Sequence, residues 1–257
     1  MKIIFAGAIP HIEKLAEFKV NYMSTIAYTG TYTKFFSLVK APYYLIIDSG
    51  AFTFQSKGGI DIDAWITRAK KAEKFATEIV SLDVLGDAKK TWENYQYIKK
   101  AIPKVIPTFH YGEEFSYLYK YLDITDRIAI GGLVPLKGTP EIKNFLNKIF
   151  ASLSSKTLPK LHCFGVADFE LLIKYPFYSA DSTSYLAGEQ FAQVETFNGF
   201  NKQRMKTNSK VLSFSGLLMS LPNKDNYKIR TKFMVNTFIK METFLTRVWK
   251  ERGIQWD

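Results

Sequence analysis

Tyr43-Tyr44-Leu45-Ile46-Ile47-Asp48-Ser49-Gly50-Ala51-Phe52-Thr53 is the stretch on which the fold turns. An apolar run leads straight into an acid, a serine and a glycine. That is the pattern of a buried parallel strand with a polar tip. Working outward, the pattern recurs. Glu78-Ile79-Val80-Ser81-Leu82-Asp83 ends in an acid, and Phe177-Tyr178-Ser179-Ala180-Asp181-Ser182 carries one at its end. In a (β/α)8 barrel the C-terminal ends of the strands carry the chemistry. Three carboxylates at three strand ends therefore predict one shared pocket.

Strands are expected near 2–7, 43–48, 78–83, 104–109, 127–133, 160–166 and 177–182, with an eighth near 210–215. Helical patterns alternate with them. Asp61 or Asp63 can cap a helix with Trp65, Ile66, Ala69, Ala72 and Phe75 at helical spacing. Residues 92–102 form a helix stopped by Pro103, and 113–122 another. Thr139-Pro140-Glu141 opens a fourth, with threonine as the cap and proline in the first turn. Residues 168–175 make a short fifth. Such alternation implies parallel strands joined by right-handed crossovers. The expected fold is an α/β, TIM-like (β/α)8 barrel formed by a single domain over 1–257. Turn signals crowd residues 188–226, and a long helix with an apolar stripe follows over 230–252.

The chain has 257 residues, close to what one such barrel requires, and 47% of them are apolar. Its one cysteine, Cys163, excludes an internal disulfide and a cysteine-built zinc site. No apolar run approaches the ~20 residues of a membrane span, so no membrane partner and a cytoplasmic location are expected. The net charge is +11. Residues 201–257 hold 12 lysines and arginines against 4 acids, a balance of +8, while 1–200 hold 23 against 20. This bias points to a polyanionic partner, with a solvated basic face as the alternative. Within the basic C-terminal region, 186–257, the candidate docking cations are Lys202, Arg204, Lys206, Lys210, Lys228 and Arg230.

Asp48 can act as a general base or a nucleophile, or simply hold the turn at Gly50. Asp83 can accept hydrogen bonds from a ligand, or cap its strand end. Asp181 has hydroxyl neighbours, Ser182, Thr183 and Ser184, that either orient it or cap the next helix. The strand Arg127-Ile128-Ala129-Ile130-Gly131-Gly132-Leu133 ends in two glycines, where a planar ligand can lie against main-chain amides. His110 is a candidate acid/base group or metal ligand. His162 lies early in its strand and is expected in the core, and Cys163 is a small buried residue. A metal-dependent hydrolase built on Asp48, Asp83, His110 and Asp181 lacks the further histidines of such sites.

Taken together and in chain order, these segments resemble the tRNA-guanine transglycosylase superfamily, and more closely its phage-type DNA 7-deazaguanine transglycosylase branch. Asp48-Ser49-Gly50-Ala51-Phe52 is similar to the family's Asp-Ser-Gly-Gly-Phe segment. Ile130-Gly131-Gly132-Leu133 is similar to its Ile-Gly-Gly-Leu base-recognition strand. Phe164-Gly165-Val166 stands where the family has Met-Gly-Val, and Asp181 at its second essential aspartate. The resemblance covers about residues 43–185. It implies Asp181 as the nucleophile at the sugar C1′ and Asp48 as the general acid/base. It implies Asp83 on the purine's Watson–Crick edge, backbone contacts from Gly131, Gly132 and Leu133, stacking by Phe164 and a further base contact from Ser49. His110 falls near the position of a glutamine in the tRNA enzymes. The implied partners are DNA, with tRNA as the alternative, and a free 7-deazaguanine base of the preQ0 or preQ1 type. No cofactor is implied, because one glycosidic bond replaces another. Bacterial-type tRNA enzymes carry a cysteine-rich zinc subdomain near the C-terminus. Residues 186–257 contain no cysteine, which favours the DNA branch, acting in the host cytoplasm if phage-encoded. A non-catalytic nucleic-acid-binding barrel is the remaining alternative.

Overall fold

In the computed structural model, β1 (Lys2–Ala6) lies between the second strand of the chain and the last strand of the barrel. The structure describes residues 1–7, 15, 18, 20–28, 33–34, 37, 44–153, 158–186, 193–197, 202–206 and 223–256, with backbone alone for 193–196, 202–206 and 223–229. The other strands of the main sheet are β2 (Asn21–Thr25), β3 (Leu45–Asp48), β4 (Glu78–Val80), β5 (Val105–Ile106), β6 (Thr108–His110), β7 (Arg127–Gly131), β8 (Lys160–Cys163) and β9 (Ser179–Ser182). All pairings are parallel, in the order β5-β4-β3-β2-β1-β9-β8-β7-β6. The two ends of that order are halves of one run separated by Pro107. Proline lacks the N–H that a ladder needs, so pairing is interrupted at this one residue. The Pro107 carbonyl still accepts from Ala129 N at 2.9 Å, and the Ile106 carbonyl from Ser81 N at 2.8 Å. Counted this way, eight strand positions form a nearly closed, TIM-like barrel.

Its eighth position is filled by β2, and the strand expected at 210–215 lies outside the described residues. β2 pairs Tyr22 with Leu45 and Thr25 with Asp48 on one side, and Asn21 with Ile4 on the other.

Helices α1 (Ala51–Gln55), α2 (Ile62–Glu73), α3 (Ala88–Ala101), α4 (Phe115–Leu122), α5 (Pro140–Ser152) and α6 (Phe169–Lys174) alternate with the strands. The caps follow local chemistry. The Asp61 carboxylate accepts from Asp63 N and Ala64 N at 3.0 Å, satisfying two of the open amides of α2. Asp87 and Asp168 each accept from one such amide, Lys90 N for α3 and Leu171 N for α6. Thr139 departs from expectation. Its hydroxyl donates to the Leu136 carbonyl at 2.9 Å and leaves α5 to begin on Pro140 without a side-chain cap.

The period of two along each strand sorts residues into barrel wall and barrel lumen. Ile3, Phe5, Leu45, Ile47, Ile79, Val105, Phe109, Ile128, Leu161 and Ala180 join the core beneath the helices. Ile4, Met23, Ile46, Val80, Ile106 and Ala129 form a separate cluster, one residue from each of six strands. This is the middle layer of the lumen, and Ala129 aligns with His162 on β8, which aligns with Ser179 on β9. One step below, Arg127 and Glu78 close the floor with a bidentate ion pair at 2.6 and 2.7 Å. One step above is the candidate site.

The last helix, α7 (Asn223–Glu251), lies along the barrel wall. Met234, Val235, Phe238, Met241, Leu245 and Trp249 are buried. Glu242 Oε2 accepts from Ile3 N at 2.7 Å, Thr246 donates to the Met1 carbonyl at 3.0 Å, and Trp249 Nε1 donates to the Leu172 carbonyl at 2.9 Å. An antiparallel hairpin, β10 (Gln193–Phe197) and β11 (Lys202–Lys206), meets it through Phe197, whose ring is 5.3 Å from Phe244. Among the described residues no helix is long and apolar enough to cross a membrane.

Candidate active site

Two residues above the middle layer, the lumen-facing positions are Ala6 on β1, Thr25 on β2, Asp48 on β3, Thr108 on β6, Gly131 on β7, Phe164 after β8 and Asp181 on β9, and His110, two residues beyond Thr108, pairs with Gly131 to join them. Asp83, after β4, completes the ring. Asp48 and Asp181 stand three strand places apart, with β1 and β2 between them. The sequence-derived set of acids and base-contact residues thus meets at one end of one barrel.

Asp48 Oδ2 accepts from Gly50 N at 3.0 Å. Gly50 has a φ of 72°, and a Cβ there would meet Ala27 and Thr25 at 3.1 Å, so the turn that delivers this amide requires glycine. Burial, then the neighbouring Asp83 carboxylate and, more weakly, Asp181, push the Asp48 pKa from 3.8 up to about 7. The Gly50 amide and the Thr25 hydroxyl oppose the rise without cancelling it. Part of Asp48 still reaches the mouth.

Asp83 is held from two sides. Its Oδ1 accepts from the Ser49 hydroxyl at 2.7 Å and its Oδ2 from His110 Nε2 at 3.0 Å. Burial alone would lower the His110 pKa, but hydrogen bonds and charge from Asp83 and Glu113 outweigh it and raise it from 6.5 to about 9. At neutral pH His110 is therefore an imidazolium donating both N–H groups, the second to Glu113 Oε1 at 3.1 Å. Each Asp83 oxygen retains a lone pair for an outside donor. Ser49 sits beneath the site with its hydroxyl engaged by Asp83 and by Ala51 N, and the Trp65 indole fixes its carbonyl at 2.8 Å.

Asp181 Oδ1 accepts from Gly165 N at 2.6 Å. Gly165 has a φ of 68°. A Cβ there would fall 2.5 Å from Val134 Cγ2. The Phe164-Gly165-Val166 turn thus aims one amide at one carboxylate oxygen. Phe164 itself is half-buried, with its ring edge-on to His162 at 4.7 Å.

The glycine strand serves the protein before it serves a ligand. A Cβ on Gly131 would lie 2.6 Å from His110 Cδ2, so that glycine makes room for the histidine ring. Gly132 is exposed with a φ of 74°, whereas Leu133 is fully buried, backbone included, so the contact expected from Leu133 is closed off and Gly132 is the part of this turn that an outside group can reach.

A cavity of about 640 Å³ opens on the outer side of Asp83, with Ala51, Phe54, Leu82, Asn94 and Tyr97 in its walls. Asp48 and Asp181 do not line it, so it adjoins the carboxylate site without containing it. Among the described residues, no three His, Cys, Asp or Glu side chains gather in a metal-binding cluster.

Among the described residues, the candidate docking cations fall on β11 and α7. Lys202, Arg204 and Lys206 occupy alternate positions of β11, across from Phe197, Glu195 and Gln193. Lys228 falls in the first turns of α7, and Lys210 lies outside the described residues. Arg230 is half-buried on α7, with its Nε enclosed.

Sequence reasoning missed Glu113, although its spacing of three from His110 was a usable signal, and it missed Gly165 as a donor to Asp181. It placed His162 in the core without noticing that period two sets it, with Ser179, directly under the nucleophile candidate. In comparisons with known proteins, no family model matches the chain and no curated protein is significantly similar to it.

Proposed function

We propose that the chain is a base-exchange transglycosylase that replaces guanine in DNA with a 7-deazaguanine. The observation that carries this reading is a pair of unlike carboxyl groups in one ring. Asp48 holds its proton up to about pH 7, while Asp181 is gripped by a backbone amide at 2.6 Å. Groups whose surroundings set them apart in this way divide into an acid/base and a nucleophile.

In the first displacement an Asp181 oxygen attacks C1′. The C1′–N9 bond breaks, its electron pair leaves with the purine, and Asp48 supplies the proton. In the second, Asp48 takes a proton from the incoming base, whose nitrogen attacks C1′ and returns the Asp181 carboxylate. Two displacements retain the sugar configuration. An acid with a pKa near neutrality serves both halves, because neither protonation state is scarce. Asp83, fixed by Ser49 and His110, accepts N–H groups from the purine edge, and Phe164 offers its ring face. A target inside a duplex must first be extruded. The lysine- and arginine-rich C-terminal quarter supplies phosphate contacts.

The test is incubation with labelled guanine and either DNA or tRNA, followed by mass spectrometry of nucleosides from cells also making a deazapurine. Label entering DNA, and lost in Asp181→Asn, is the expected result. Label entering tRNA alone selects the RNA reading. No label in either nucleic acid overturns the proposal.

A further inference from the structure

His162 is fully buried in the middle layer of the lumen, and the base-exchange scheme gives it no task. Its surroundings nevertheless fix where its proton sits. Arg127 on the floor gives two of its N–H groups to Glu78, one to the Lys160 carbonyl at 2.6 Å and one to Ser179 Oγ at 2.9 Å. Guanidinium has no acceptor, so Ser179 must accept that bond. Ser179 Oγ is also 2.8 Å from His162 Nδ1. The serine is fully buried, and no other acceptor for its hydroxyl proton is found among the described residues. Leaving that proton unpaired is costly in a closed interior. The hydroxyl therefore donates to Nδ1, which must be a bare lone pair. Burial lowers the His162 pKa, so the ring is neutral and carries its one proton on Nε2.

Nε2 lies 3.3 Å from Asp181 Oδ1 and has no other partner among the described residues. The contact falls short of a finished hydrogen bond, so a small turn of the carboxylate would satisfy an otherwise orphaned buried donor. Gly165 N approaches the same oxygen, and Oδ2 has no partner among the described residues.

We infer that His162 is a positioning residue for Asp181. The chain Glu78–Arg127–Ser179–His162 locks the Nε2–H tautomer under Oδ1, anchors that oxygen, and leaves Oδ2 to attack C1′. In the second displacement the same N–H stabilises the carboxylate as the C1′–O bond breaks. The inference rests on the base-exchange reading for its catalytic consequence, though not for its geometry.

Two measurements test it. The chain has three histidines, so ¹⁵N NMR of the imidazoles, assigned with single variants, reads His162 directly. The expected signature at neutral pH is a bare Nδ1 and a protonated Nε2, changing to a tautomer mixture in Ser179→Ala. A protonated Nδ1 in the native protein overturns the inference. The second measurement compares variants in base exchange. His162→Gln can place an amide N–H near the Nε2 position, whereas His162→Asn reaches only the Ser179 side. Asparagine should lower kcat roughly 10–100-fold, the worth of one hydrogen bond to a charged group, with KM little changed, and glutamine should recover most of it. Equal loss in both, or a change confined to KM, overturns the positioning role. If wild-type protein exchanges no base, the function proposed above fails while the NMR result still decides whether the relay exists.

Discussion

Replacing Asp48 with asparagine isolates the energetic consequence of burying this carboxyl group. The folded protein keeps the Asp48 proton up to about pH 7, whereas the unfolded chain releases it near 3.8. Between those values the folded state binds a proton that the unfolded state has lost, so the contribution to stability falls as pH rises through the window. The interval is roughly three pH units, and at ~1.36 kcal/mol per unit the ceiling is about 4 kcal/mol. Water reaches part of the group, which screens it and brings the expected effect to roughly 1–3 kcal/mol. Asparagine retains an oxygen for the Gly50 amide but cannot ionise. The variant should therefore match the wild type at about pH 4 and exceed it by that margin at about pH 8. Urea unfolding at both values measures the difference. An offset that is the same at both, or a variant less stable than wild type in the alkaline sample, refutes the claim of a raised pKa.

His110 carries the opposite sign. Its pKa is raised from 6.5 to about 9, so its stabilisation is complete below the lower value and disappears as pH climbs through the upper. His110→Gln should thus be less stable than wild type in acid, with the gap closing in alkali, as urea midpoints across that range will show. Gly165→Ala forces a Cβ against Val134 at 2.5 Å in a left-handed turn. It should cost roughly 1–3 kcal/mol in thermal unfolding and slow base exchange by displacing the amide on Asp181. Alanine at Lys202, Arg204 and Lys206 together should weaken DNA binding and flatten its salt dependence. The slope of log affinity against log salt should fall by about 0.9 for each phosphate no longer neutralised, read by titration at several salt concentrations.

The barrel was legible where strands are apolar and end in an acid. Leu45–Asp48 declares itself because parallel strands bury both faces and its polar tip breaks an apolar run, and Phe177-Tyr178 leads into the acid of Ser179–Ser182 in a similar way. Asn21–Thr25 did not, since five residues with polar ends and a central Tyr22-Met23 offer little contrast with a loop. Only its neighbours β1 and β3 make it a strand. That omission sent the count of eight to residues 210–215. The ring of acids was visible for the same reason as the strands. The partners that give each acid its character were not, because they are distant in sequence. Ser49 reaches Asp83 across 34 residues and His110 reaches it across 27. His162 shows the limit most clearly. Its burial was foreseeable from its place early in a strand, but its tautomer depends on Arg127 and Ser179, which only the closed lumen brings together.

Ile3 and Glu242, joined through one hydrogen bond, are 239 residues apart in the chain. β1 likewise borrows its second neighbour from Ser179–Ser182. During synthesis the first strand must therefore wait, apolar and half-paired, until its late companions emerge from the ribosome. At ~5–20 residues per second that delay is about 10–50 s. Throughout that interval the nascent polypeptide carries an open sheet edge, an aggregation hazard that a chaperone could shield and that faster translation would shorten.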